Sequence, residues 1–571
     1  MKKFAAIALA GFCCIAAFAS ARAADQVASS TILSPADVKT YGEIFAAQKT
    51  GQFAKADRLI AKLEDTSLLG YVLQDRYLGA HYRSKFGELK SWLTEYGDLV
   101  GADGIYKLAV KRAPKKTAVP VPARAHWRGA AGDGLAFDNM KLQSEAAERI
   151  AQQLRSLARD DRPEDADALV KKLAATRSGL QQGDIDRLAA YVATAYLGEM
   201  QDQAALSRAE EIIARHGISA VQCEWTAGLA AYRLGRFEDA AHHFEAVMQS
   251  ASAPRTYAAA AFWAARSWTG TGEAERVLTL YERAASEGAD TFYGLLATRL
   301  LGRDMKADFS EPALDSVSFA GLMLEKPAHR AVALWQIGHA EAVEAELARA
   351  FGQMSPDLDP AFAALARSLG APALELRAAE TAAPTVRLTS LYPVPPYEPQ
   401  GGYALDQAVV LAFARQESRF EPGALSKAGA RGVMQIMPQT AVTITHDSSL
   451  AGRNKDRLDD PTYSITLGQN YLLDLIDRQN GNLFSIAAAY NAGEGNLTKW
   501  QSQRADDSDP LLFIETIPLA ETRDYVKRVM TNVWMYRLRL GEAPDGLDAA
   551  AAGSWPTYTQ AVQAGTASVS P

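Results

Sequence analysis

From about residue 35 to 370, apolar side chains recur at the helical period, alanine is abundant and alternating β-branched runs are scarce. This pattern predicts a succession of amphipathic helices and no sheet. It also repeats. Gly51, Phe53, Ala56 and Ile60 are separated by 2, 3 and 4 positions, and so are Gly235, Phe237, Ala240 and Phe244, and Gly272, Ala274, Val277 and Tyr281. The register puts a glycine in a turn and a small residue where two helices cross closely, as in tetratricopeptide-like hairpins. One hairpin cannot bury its own apolar face, so residues 30–380 are expected to stack into an α-superhelix. The uneven spacing of the repeats makes that superhelix irregular.

Two stretches break the pattern. APKKTAVPVPARAHWRGAAGDG, from 113 to 134, is expected to be a long exposed connection, its basic residues a solvated cluster. TAAPTVRLTSLYPVPPYEPQGG, from 381 to 402, is proline-rich, so it is predicted as a non-helical linker. Beyond it, residues 403–540 read as a compact helical unit, and the Ala/Gly/Ser-rich residues 545–571 as a mobile tail. The expected class is all-α.

Composition changes the picture mainly at the start. The 571 residues are too many for one core. Lys2 and Lys3 precede an apolar run from Phe4 to Ala19, and Ala21-Arg22-Ala23 has the small-x-small form of a cleavage site. Residues 1–23 are therefore predicted to be a signal peptide directing export to the periplasm. Cys13 and Cys14 would leave with it, and Phe12 is not the small residue expected before a lipidated cysteine. Cys223 then stands alone, so no internal disulfide can form. No later run approaches the roughly 20 apolar residues of a membrane span. Loss of Lys2, Lys3 and Arg22 takes the formal net charge from −7 to −10, which argues against a nucleic-acid partner. A monomer is expected.

The candidate chemistry lies in the C-terminal unit. Asp406 suits a helix start, and the helix should run to Gln416 or Ser418 before Pro422 and Gly423. Glu417 extends the stripe Val410, Phe413 and Ala414, so its carboxylate leaves water and its pKa should rise toward that of a general acid. The alternative is an ion pair with Arg415, Arg419 or Arg431. Ala428 to Gly432 is too glycine-rich for a helix, and Val433-Met434-Gln435-Ile436-Met437 leads into Pro438, a suitable first helical residue. Gln435 offers a donor and an acceptor. Asp460-Pro461 should start a structural helix buried through Ile465, Gly468, Leu472, Leu475 and Ile476. Another helix should end at Tyr490-Asn491-Ala492-Gly493, and Glu521 and Tyr525 lie one helical turn apart. His242 and His243 are adjacent and diverge on a helix, which is wrong for a shared metal.

Glu417-Ser418, Gly432-Val433-Met434-Gln435, Ala489-Tyr490-Asn491-Ala492-Gly493, and Glu521-Thr522-Arg523 with Tyr525-Val526-Lys527 resemble, in order, four motifs of the soluble lytic transglycosylase family. The resemblance is close over about residues 400–540. It implies a lysozyme-like catalytic domain that cleaves the β-1,4 bond between N-acetylmuramic acid and N-acetylglucosamine in peptidoglycan, with neither a metal nor an organic cofactor. Glu417 would act first as acid and then as base, and the muramic acid C6 hydroxyl would close a 1,6-anhydro ring. By the same resemblance Ser418 and Gln435 would touch the sugars, Met434 would pack on a sugar or the acid, and Tyr490 would orient Glu417. Asn491 and Tyr525 would belong to the saccharide site, and Glu521 would line its cleft. The chain departs from the family in carrying Ser464 before Ile465, which is expected to alter a local cap. Two other readings are a hydrolytic goose-type muramidase and a non-catalytic peptidoglycan-binding scaffold, with cell-wall enzyme partners recruited by the helical array.

Overall fold

The computed structural model describes residues 32–123, 142–176, 179–216, 221–305, 307–311, 314–381, 388–503 and 509–558. The predicted signal peptide, the second half of the basic connection and the last residues of the tail lie outside them. Among the described residues there are 28 α-helices and only isolated β-bridges, as the periodicity predicts.

Two of the three predicted hairpin turns, at Gly51 and Gly235, share one device with a further turn at Gly338, whereas in the predicted Gly272 unit φ is 86° and Val277 is only partly buried. At Gly51, Gly235 and Gly338 φ is 72°, 73° and 77°, a conformation that costs glycine little. One residue later the chain closes a six-residue loop back onto the helix: Gln52 N to Ala47 O, Arg236 N to Ala231 O and His339 N to Leu334 O, each 2.9 Å. The next helices begin at Phe53, Phe237 and Ala340, and Ala56, Ala240 and Val343 are buried at the crossings. The Gly338 unit repeats the 2, 3, 4 spacing but was not among the three recognised. Two further units are disguised, because Asp161 and Met200 hold the left-handed position (φ 57° and 62°) and close the same 2.9 Å loops from Arg162 to Leu157 and from Gln201 to Tyr196.

The chain falls into two compact units, residues 1–131 with 308–396, and residues 132–307 with 397–571. In the first, Tyr41, Trp92, Phe351 and Phe362 fill the core. In the second, the helices from Glu145 to Leu300 pack with the C-terminal helices, the Phe292 ring stacking on Trp534 at 5.5 Å. The C-terminal region therefore shares a unit with the middle of the array, a division that composition shifts do not reveal.

Two local expectations are corrected. The stretch 381–402 is not free of helix: the helix Pro372–Thr381 ends in it, and Leu388–Leu391 forms a short turn of helix ahead of Pro393, with Thr389 and Ser390 fully buried. The tail is docked through residue 558. Leu547–Ala551 is helical, Leu483 N donates to Pro556 O at 2.9 Å, Tyr558 N donates to Gly481 O at 2.7 Å, and the Trp555 ring meets Phe513 at 5.3 Å. Aromatic anchors outweigh the permissive composition there.

Candidate active site

The acid helix, Gln407–Ser418, starts where the sequence places it: the Asp406 carboxylate accepts from Ala408 N at 2.8 Å. Val410, Phe413 and Ala414 are at most 1% exposed. The helix lies antiparallel to Ala520–Arg539, and three ties set their register. Arg537 donates to Asp406 at 2.8 Å, Arg415 to Asn532 at 2.8 Å, and the Tyr525 hydroxyl to Glu417. Glu417 thus lies opposite Tyr525.

Glu417 is half-buried. Its pKa is raised from 4.5 to about 8: loss of hydration pushes it up most, the Tyr525 hydrogen bond pulls it down, and the Glu521 charge adds to the rise. The ion-pair alternative does not hold, because Arg415 binds Asn532 and Arg431 binds Asp459, and no cation among the described residues pairs with Glu417. Burial also holds the Tyr490 and Tyr525 hydroxyls well above their ordinary range, so at neutral pH both are donors.

The glycine-rich segment forms a loop fixed from several sides. Gly432 has φ 75°, and a Cβ there would overlap the Leu458 carbonyl oxygen, so the close approach requires glycine. The Ser418 hydroxyl donates to Val433 O at 2.7 Å, Ser464 Oγ accepts from Met434 N at 3.1 Å, and Tyr490 donates to Met434 O at 2.8 Å. Gln435 donates through Nε2 to Ala424 O and Gly432 O, both at 3.0 Å.

These contacts revise several roles implied by the family resemblance. The tyrosine on Glu417 is Tyr525, while Tyr490 orients the loop carbonyl of Met434; the Phe413 ring lies 4.9 Å from Tyr490 and 6.3 Å from Tyr525. Ser418 ties the acid helix to the loop. The Met434 side chain is fully buried and lies against Gly468. Asn491 accepts from Thr522 Oγ1 at 2.7 Å, joining the two flanking helices, and Glu521 is exposed. Ser464 caps no helix end; it holds the loop amide. Asp460 caps the helix Pro461–Arg478 as expected, with Tyr463 N donating to it at 2.7 Å, although Ile476 is only partly buried.

Sequence reasoning missed Asn532 and Asp459, whose ordinary surface types carry no spacing signal, and gave Ser464 only a local cap. Among the described residues no cluster has a metal-ligand set, and no helix is long and apolar enough to cross a membrane. Two recesses, of about 630 and 510 Å³, are lined by residues between Glu245 and Arg303; neither includes Glu417.

Residues 397–513 match the transglycosylase SLT domain. The soluble lytic murein transglycosylase of Escherichia coli K12 is 38% identical over 144 residues, which is 25% of this chain and 22% of that protein. The chain thus matches only about a fifth of that curated relative's length. Two solved structures share the fold. Lytic transglycosylase Slt from Pseudomonas aeruginosa, solved as an inactive mutant, has a TM-score of 0.57 at 22% identity, covering 87% of this chain and 75% of its own. The 70 kDa soluble lytic transglycosylase from Escherichia coli has a TM-score of 0.57 at 21% identity, covering 90% and 74%. Residues 397–513 are thus similar to the transglycosylase SLT domain, within a helical chain that has the fold of these two solved structures.

Proposed function

We propose that this chain is a peptidoglycan lytic transglycosylase, cleaving the β-1,4 bond between N-acetylmuramic acid and N-acetylglucosamine and leaving 1,6-anhydro ends. The observation that carries the reading is Glu417: a half-buried carboxyl with a pKa of about 8, held by one tyrosine hydroxyl and, among the described residues, by no cation. Such a group keeps its proton at neutral pH and can give it to a glycosidic oxygen. Ordinary glycosidases need two carboxylates about 5–9.5 Å apart, but one acid suffices where the substrate's acetamido group assists at the anomeric carbon. After the leaving sugar departs, the Glu417 carboxylate can take the proton of the muramic acid C6 hydroxyl as that oxygen closes the ring. Tyr525 steadies the carboxylate in that second state, since a hydrogen bond to the charged form favours it.

The relatives named as murein transglycosylases support the substrate class, and the predicted leader supports a periplasmic site of action. Digestion of purified sacculi by the full chain, followed by mass analysis, tests the reading. Muropeptides lighter by one water than reducing-end products are expected, and reducing ends would instead show a hydrolytic muramidase. Glu417→Gln should lower turnover by about 10²–10⁴-fold while the protein stays folded. Undiminished release by that variant would remove Glu417 from the role.

A further inference from the structure

The helix that carries Tyr525 is also held on another side, by a buried charge network that bond cleavage does not require. Lys527 Nζ donates to Glu515 Oε1 at 2.8 Å, and the same oxygen accepts the Tyr293 hydroxyl at 2.5 Å. Lys527, Glu515 and Tyr293 are only 7%, 3% and 3% exposed. Two positions along a helix turn about 200°, so Lys527 leaves its helix roughly opposite Tyr525. Tyr293 belongs to the array helix Phe292–Leu300, whereas Glu515 lies on the short helix Pro510–Thr516.

The array grips that short helix at its other end too. Asp509, its N-cap, accepts from Arg266 at 2.9 Å, and the Arg266 guanidinium lies 5.1 Å from the Trp263 ring and 5.6 Å from the Tyr232 ring. A buried ion pair is a weak source of stability, because desolvation offsets the attraction; its best-attested use is to select one geometry. Here the selected geometry is that of the helix bearing Tyr525.

We infer that Tyr293, Glu515 and Lys527 are positioning residues, through which the helical array sets the Tyr525 hydroxyl on Glu417. The inference rests on Glu417 being the acid, and its test separates the two. Glu417 is faced by Tyr525 and Glu521 from one helix and by Tyr490 from another, with Arg415 on its own helix and Arg419 at that helix's C-cap. Turnover of sacculi by the full chain should fall as pH rises through about 8, where Glu417 loses its proton. Tyr525→Phe should move that alkaline limb upward, because the bond favouring the carboxylate is gone.

Tyr293→Phe keeps the ring and should move the limb the same way by less, with kcat down about threefold to tenfold and KM unchanged. In the Tyr525→Phe background it should add nothing. Should Tyr293→Phe fail to fold, Lys527→Arg is read the same way. A loss of activity that merely follows the folded fraction, with the limb unmoved, or strictly additive effects of the two substitutions, would overturn the inference. Retained activity in Glu417→Gln would instead discard the acid and leave the network a structural one.

Discussion

Glu346 in the first unit and Glu417 in the second both accept a tyrosine hydroxyl, from Tyr71 and Tyr525, and burial pushes both carboxyls up. Their other neighbours differ. Glu346 is fully buried and meets Arg330 at 2.9 Å, and Arg330 also holds Asp98 at 2.8 Å. The guanidinium opposes the effect of burial and locks the group into a pair. Glu417 has the Glu521 anion in place of a cation and remains partly open to solvent. Burial with a compensating charge gives an ion pair; burial without one leaves a carboxyl that holds its proton. Glu515, with Tyr293 and Lys527, repeats the paired arrangement within the second unit.

The contrast can be broken most directly at Arg330. Arg330→Met strands a buried carboxylate and should cost about 3–5 kcal/mol in urea unfolding at neutral pH; a loss under about 1 kcal/mol would mean that Glu346 is not an ion-pair partner. At Glu417 the sign is opposite. The folded protein keeps the Glu417 proton up to about 8 while the unfolded chain releases it near 4.5, so between those values the folded state binds more protons and stability falls as pH rises. Glu417→Gln removes that penalty. Thermal unfolding should show the variant gaining on the wild type from about pH 4.5 to about 8, by on the order of 5 kcal/mol over that range, and gaining no more above it. An advantage that does not grow with pH would contradict a raised pKa. The smallest effect belongs to Tyr71→Phe, which deletes one hydrogen bond to Glu346 and should cost about 1 kcal/mol. It should leave the alkaline limb of turnover unmoved, in contrast to Tyr525→Phe.

Much of the architecture is legible where the signal is local. The Asp406 and Asp460 caps, the apolar stripe ending in Glu417, Pro438 at a helix start and the glycine turns each depend on a few neighbouring residues, and each is found. The same device became illegible at Asp161 and Met200, where non-glycine residues hold the left-handed turn and erase its marker. The candidate site divides similarly. Most of the residues gathered around Glu417 lie in motifs visible in the sequence, Asn532 and Asp459 excepted, but which hydroxyl meets which acceptor was not visible. Tyr490 and Tyr525 have the same chemistry, and only the register of the acid helix against Ala520–Arg539 assigns one to Met434 O and the other to Glu417.

Periodicity and side-chain chemistry along the chain are thus enough to establish an all-helical protein with one acid on an apolar helix face, because those properties follow from 3.6 residues per turn and from hydration. Partner choice is another matter. The cation beside Glu346, its absence beside Glu417, the docked tail and the grip of Tyr293 on Glu515 join residues tens to hundreds of positions apart. Only the folded packing of helices can bring such groups within hydrogen-bond distance.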